Sequence, residues 1–196
     1  MTYYGPKEIA AGFRTVRRNT LMITEEIPED KYGFQPAPHA RTVAQTLIHI
    51  SNMHRFQLAL HRDAKVTTLA GFDFPSFVGP ITAEEQKPFT KAEIIQRLRE
   101  GGEQFAAWVE SLSEDFLGEV VTMPPGGQPA SRTRFDMIIS VKEHEMHHRG
   151  QLMLVERMLG IVPHLTRAMQ ARMAQMQAGA TQAQATRHSA GPPDRL

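Results

Sequence analysis

Apolar residues recur at intervals of three and four in four long stretches of this chain, and no stretch shows a convincing two-residue alternation of the kind a half-buried strand requires. The first, about residues 7–27, carries Ile9, Phe13, Val16, Thr20, Ile23 and Ile27 and ends before Pro28. The second opens at Thr42, where Thr42 and Gln45 form a capping-box pair, and runs to about His61. Thr90 and Glu93 form the same pair ahead of the third, whose seam is Ile94, Leu98, Gly101, Phe105, Trp108 and Leu112. The fourth, about 133–160, closes at Gly160 with Pro163 just beyond. Four amphipathic helices of similar length predict an all-α, up-down four-helix bundle. Gly101 and Gly102 inside the third helix predict a close approach of a neighbouring helix or a local bend, since each otherwise costs about 1 kcal/mol relative to alanine.

The intervening segments are unequal. Residues 28–41 hold Pro28, Pro36 and Pro38, whereas the longer 62–89 stretch holds Gly71, Pro75, Gly79, Pro80 and Pro88 with Phe72, Phe74 and Phe77 interleaved. That length suits a crossover between helices two and three. Met123-Pro-Pro-Gly-Gly-Gln-Pro129 reads as a turn-rich loop, and no Lys-Ser/Thr follows its glycines as a phosphate loop would require. After Gly160 the pattern weakens: Leu165, Met169, Met173 and Met176 keep helical spacing, and 179–196 is rich in Ala, Gln, Thr and Pro. The expectation is therefore one domain over residues 1–165, followed by a short fifth helix and flexible tail over 166–196.

The chemistry concentrates in His144-Glu145-Met146-His147-His148-Arg149-Gly150-Gln151. His144 and His148 are four residues apart, about 40° around the helix axis, and they fall in the inward stripe Met137, Val141, His144, His148, Leu152, Val155, Leu159. A single inward histidine is ordinarily a core residue hydrogen-bonded to a carbonyl or carboxylate. Two on one face are costly to desolvate without a shared partner, and neutral imidazole is the commonest metal ligand. His147 flanks that face and reads as partly exposed. For a third ligand, His49 shares its helix face with Met53, Phe56 and Leu60 and points inward. His54 aligns with Val43, Leu47 and Ile50 on another face and His61 stands at the helix end, so both are secondary choices. Three imidazoles leave a coordination position open, as catalytic zinc sites do.

Composition narrows the remaining classes. With 22 basic and 21 acidic residues among 196, the net charge of +1 gives no overall electrostatic reason to expect nucleic acid or an anionic membrane. Arg14, Arg17 and Arg18 read as a solvated face of helix one. Cysteine is absent, which excludes disulfides, thiolate ligands and a cysteine nucleophile. No apolar run approaches a membrane span and the first residues lack a signal-peptide core, so a cytoplasmic location is the expectation.

The segment Thr42-Val-Ala-Gln-Thr-Leu-Ile-His49-Ile, with His144-Glu-Met-His-His148-Arg-Gly-Gln-Leu152 and Leu159-Gly160, resembles the DinB/YfiT-like superfamily of metal-binding four-helix bundles across about residues 5–165. The resemblance implies His49, His144 and His148 as ligands of a divalent metal, Zn2+ or Ni2+, and a homodimer. It further implies thiol S-transferase or thiol-dependent isomerase chemistry with a low-molecular-weight thiol cosubstrate. A metal-dependent hydrolase and a non-catalytic stress-response module are the alternatives. A solvent-accessible pocket at the metal, lined by the aromatic-rich crossover, would favour catalysis. His144-Glu145-x-x-His148 also satisfies the zinc-peptidase pattern, but Gln151 and Leu154 stand where a metzincin has Gly and His, and Asp194 is the only acidic residue after Glu156. Glu145 is accordingly expected to support a ligand or face solvent rather than to act as a base.

Overall fold

The computed structural model describes residues 4–189, and these form a helical protein with one small hairpin. Its contacts divide the chain into two compact units, residues 1–155 and 156–196. The long helices follow the apolar periodicity. Helix α1, Pro6–Glu26, buries Ile9, Phe13, Val16, Thr20 and Ile23 and stops before Pro28. Helix α2, Val43–Gln57, starts at Thr42, whose hydroxyl accepts from the Gln45 N–H while the Gln45 side chain accepts from the Thr42 N–H. A π-helical turn, Leu58–Asp63, extends it and buries Leu58, Leu60 and His61.

The 62–89 crossover is not a plain loop, because it contains helix α3, Phe74–Glu84. Pro75 lies in the first turn, where its missing N–H costs nothing, and Asp73 caps that turn by accepting from the Ser76 N–H. Pro80 and Gly79 inside the helix disguise it in the sequence. Phe72, Phe74 and Phe77 cluster on Phe56 of α2, with centroid separations to Phe56 of 6.3, 6.1 and 5.2 Å.

Helix α4, Lys91–Glu110, is capped by the Thr90–Glu93 pair and buries Ile94, Leu98, Phe105, Ala106 and Val109. It packs against both α1 and α2, with Phe13 and Phe105 edge to face at 4.9 Å. A short helix α5, Glu114–Gly118, leads into strands β1, Val120–Thr122, and β2, Ser131–Thr133. The strands pair antiparallel with Val121 opposite Arg132, so the Met123–Pro129 turn region is the tip of a hairpin.

Helix α6, Arg134–Met158, carries the histidines, and Gly160 follows it at φ +78°, the left-handed conformation that ends a helix. In the second unit, helix α7, His164–Ser189, is 26 residues long. The expected short helix thus runs ten residues past Gly179, and residues 190–196 of the expected tail lie outside the described residues.

Arg17 corrects the reading of helix one as carrying three solvated arginines. Arg14 and Arg18 do face outward, but Arg17 is 4% exposed. Its Nε and Nη2 donate to the Glu145 carboxylate of α6 at 2.9 Å each, and Nη1 donates to the Leu98 carbonyl of α4 at 2.5 Å. One guanidinium therefore ties α1, α4 and α6 together. The glycine pair in α4 makes room for it. A Cβ on Gly102 would fall 2.7 Å from Arg17 Nη1, and one on Gly101 would fall 2.6 Å from the His54 ring. Both glycines mark the close approach of a side chain from a neighbouring helix.

Removing one partner of a buried, hydrogen-bonded ion pair leaves the other charge uncompensated, typically at about 3–5 kcal/mol. Glu145→Gln should therefore lower the unfolding free energy in a urea titration by about that amount. A loss below about 1 kcal/mol would mean that the pair does not clamp the helices.

Candidate metal centre

Glu145 turns toward α1, which directs the preceding and following inward positions of α6, His144 and His148, toward α2 and His49. The ring centroids of the three histidines lie 4.5–4.8 Å apart. Nε2 of His144 stands 2.9 Å from Nε2 of His49 and 3.1 Å from Nε2 of His148. One ligand nitrogen from each ring falls within 4.8 Å of the others, a group that could hold a metal ion. In a tetrahedral zinc site with bonds of about 2.0–2.1 Å, ligand nitrogens stand about 3.3 Å apart. The His49–His144 and His144–His148 separations are already close to that spacing.

The outer nitrogens determine what the inner ones present. His49 Nδ1 is 2.7 Å from Glu85 Oε1, and a carboxylate only accepts, so the Nδ1 proton belongs to His49 and its Nε2 carries a lone pair. His148 Nδ1 is 2.8 Å from Gln151 Oε1, which sets the same tautomer, while the Gln151 amide nitrogen faces His147 Nε2 at 3.1 Å. Two lone pairs thus converge on His144 Nε2. If His144 is protonated on Nε2 it has one proton for two acceptors; if on Nδ1, three lone pairs face one another. His144 Nδ1 is itself buried without a hydrogen-bond partner. A cation is the group that satisfies all three Nε2 atoms at once. The donor set fits a divalent metal.

Electrostatics favours the neutral, ligand-competent rings. Burial, followed by repulsion from His148, His49, His147 and Arg41, pushes the His144 imidazole down to about 4. Burial also lowers His49 and His148, opposed by the Glu85 and Gln151 hydrogen bonds respectively. Glu85 is 5% exposed and shares its second oxygen with Arg41 Nε at 2.7 Å, so one carboxylate orients a histidine and pairs a cation.

The centre borders an open cavity of about 850 Å3 whose wall includes His148, Glu85, Arg41, Gln45, Gln86 and Gln151. The crossover reaches that wall with Thr82, Glu85 and Gln86 and with none of its phenylalanines, so only the open-pocket half of the criterion for catalysis is met. Three other histidines fall outside the converging group, although the His147 ring lies 5.0 Å from that of His148 and lines the same cavity. His147 is exposed; His54 is buried against Gly101 and pushed down to about 3, chiefly by burial; His61 is buried with Nδ1 accepting from Arg134 Nη1 at 2.8 Å. Glu145 is held by Arg17, which removes it from consideration as a peptidase base. The sequence reading missed Glu85 and Arg41. Glu85 lies in Ala83-Glu-Glu-Gln86, which looks solvated, and only the hidden α3 brings it beneath His49.

Residues 13–152 match the DinB superfamily. The chain belongs to that superfamily. No curated protein matches it. Among solved structures, a DinB-like protein, YjoA, from Bacillus subtilis aligns with a TM-score of 0.56 at 20% identity, over 78% of this chain and 92% of the other. A Streptococcus pneumoniae protein aligns with a TM-score of 0.58 at 19% identity, over 80% and 93% of the two chains. At those identities the likeness concerns the fold alone. No helix among the described residues is long and apolar enough to cross a membrane.

The tautomer argument makes Glu85 a determinant of metal affinity. His144→Ala should abolish stoichiometric zinc binding, Glu85→Ala should weaken it about 10–100-fold, and His147→Ala should leave most of it. Competition titration against a chromophoric chelator measures all three. Equal affinity in wild type and Glu85→Ala would show that His49 does not depend on that carboxylate.

Proposed function

We propose that this DinB-superfamily member is a metal-dependent thiol S-transferase in which His49, His144 and His148 hold Zn2+ or Ni2+ and a low-molecular-weight thiol is the cosubstrate. The observation that carries the reading is the convergence of three Nε2 atoms beside an open cavity that His148 lines, an arrangement suited to ligand exchange rather than to a sealed structural site. A bound divalent cation would lower the pKa of a thiol at the open position. The chain has no cysteine, so the nucleophilic sulfur arrives with the cosubstrate.

The protein's own residues supply placement. Glu85 and Gln151 fix the tautomers of His49 and His148, and the wall around His148 leaves room for both thiol and electrophile. In the transfer, the cosubstrate sulfur forms a bond to an electrophilic carbon, the leaving group departs with the bonding electron pair, and the thiol proton passes to solvent in the cavity. The same reading takes the protein to be a cytoplasmic homodimer. A peptidase that used Glu145 as base would have to break the Arg17 pair first, which disfavours that reading.

Thiol transfer to a chromogenic aryl halide, run across a panel of biological thiols, tests this. Chelation, His49→Ala and His148→Ala should each reduce the metal-dependent rate about 100-fold or more. Undiminished transfer after metal removal would locate the chemistry elsewhere, and metal-dependent ester or amide cleavage without any thiol transfer would replace the transferase with a hydrolase.

A further inference from the structure

Arg41 has a role in the cavity that the ligand triad does not use. It immediately precedes the Thr42 cap of α2, and its side chain is 41% exposed on the cavity wall. Nε is committed to Glu85 at 2.7 Å, whereas Nη1 and Nη2 make no hydrogen bond among the described residues. That outer edge of the guanidinium presents two parallel N–H directions, the geometry that takes a carboxylate in a two-point grip.

The preceding loop is fixed by its own contacts, and Glu85 holds the guanidinium. The Gln35 amide donates to the Ala40 carbonyl at 2.7 Å, His39 adopts φ +64° in the same loop, and Glu85 anchors the inner edge of Arg41. The N–H groups in the first turn of α2 offer no competing anion site. Thr42, Val43, Ala44 and Gln45 already donate to Gln45 Oε1, Phe34 O, Tyr32 O and Thr42 Oγ1. The guanidinium is the open donor.

Charge points the same way. Glu85 is the only acidic residue on the wall among the described residues, and its charge is shared between His49 and Arg41. A divalent cation on three neutral imidazoles would leave the cavity with a positive excess that no side chain on its wall offsets. A ligand entering a cavity with that excess is selected for negative charge.

We infer that Arg41 is a specificity-determining anchor for a carboxylate on the ligand, so that the cosubstrate is an acidic thiol whose sulfur lies at the histidine triad and whose carboxylate lies on Nη1 and Nη2 of Arg41. This rests on the thiol-transferase reading for the sulfur, but not for the carboxylate. A cavity of about 850 Å3 has room for a ligand that spans the two points.

The test uses full-length protein loaded with Co2+ to equal occupancy and reads binding from the cobalt absorption bands and from calorimetry. 3-Mercaptopropionate is compared with 3-mercaptopropionamide, which has the same length and no charge. Wild type should prefer the carboxylate about ten- to a hundredfold. Arg41→Gln should bring that preference close to unity, and Arg41→Lys, which keeps charge but not the fork, should fall between. Equal affinity of wild type for the two thiols, or a preference that persists in Arg41→Gln, overturns the anchor. If neither thiol binds, succinate is titrated instead. Arg41-dependent succinate binding supports the carboxylate anchor while removing the thiol, and succinate binding that is absent or indifferent to Arg41 overturns it.

Discussion

The rotation of α6 about its own axis is set by a buried ion pair, and the site follows from that rotation. Arg17 reaches from α1 across the Gly102 notch of α4 to grip the Glu145 carboxylate with two nitrogens. With Glu145 fixed toward α1, the helical repeat turns His144 and His148 toward α2, where His49 waits. A slip of α6 by one residue would exchange a buried carboxylate for the His144 imidazole or the Met146 thioether at the guanidinium and would displace the histidines from His49. Burial of unlike polar groups in neighbouring positions therefore enforces a register that apolar packing alone specifies weakly.

A second carboxylate works at the other end of the triad. Glu85 holds the proton side of His49, and Gln151 does the same for His148, so both rings offer lone pairs inward. Three such rings in partial burial make a poor arrangement by themselves, because their Nε2 atoms have too few protons to satisfy one another. The arrangement becomes favourable with a cation among them. This links the fold's two acidic anchors, Glu145 and Glu85, to a single chemical consequence: rings that are neutral, oriented and poised beside an open cavity.

Much of this was legible in the sequence because it is periodic. The apolar seams located α1, α2, α4 and α6, the Thr42–Gln45 and Thr90–Glu93 pairs marked two starts, and Gly160 marked an end. The histidines were legible for the same reason, since each lies in an apolar stripe. Features set by long-range partners were not. Arg17 has the helical spacing of Phe13 and Thr20, but its partner is 128 residues away and its charge argued for solvent. Helix α3 was hidden by Pro75, Gly79 and Pro80, and with it the position of Glu85. The length of α7 was hidden by an Ala- and Gln-rich stretch with helix-forming residues but no sustained apolar face.

The proposed metal site depends on His49 and His148 being held as Nδ1–H tautomers, so that their Nε2 lone pairs, with that of His144, are free to receive one cation. Long-range 15N–1H NMR of selectively labelled histidine reads tautomer and ligation directly. The account predicts protonated Nδ1 and unprotonated Nε2 at His49 and His148 before metal is added, and a shift of the Nε2 resonances of His49, His144 and His148 together on addition of one equivalent of zinc. An Nε2–H tautomer persisting at His49 or His148 in the zinc-loaded protein, or zinc-induced shifts confined to His147, His54 or His61, would contradict it.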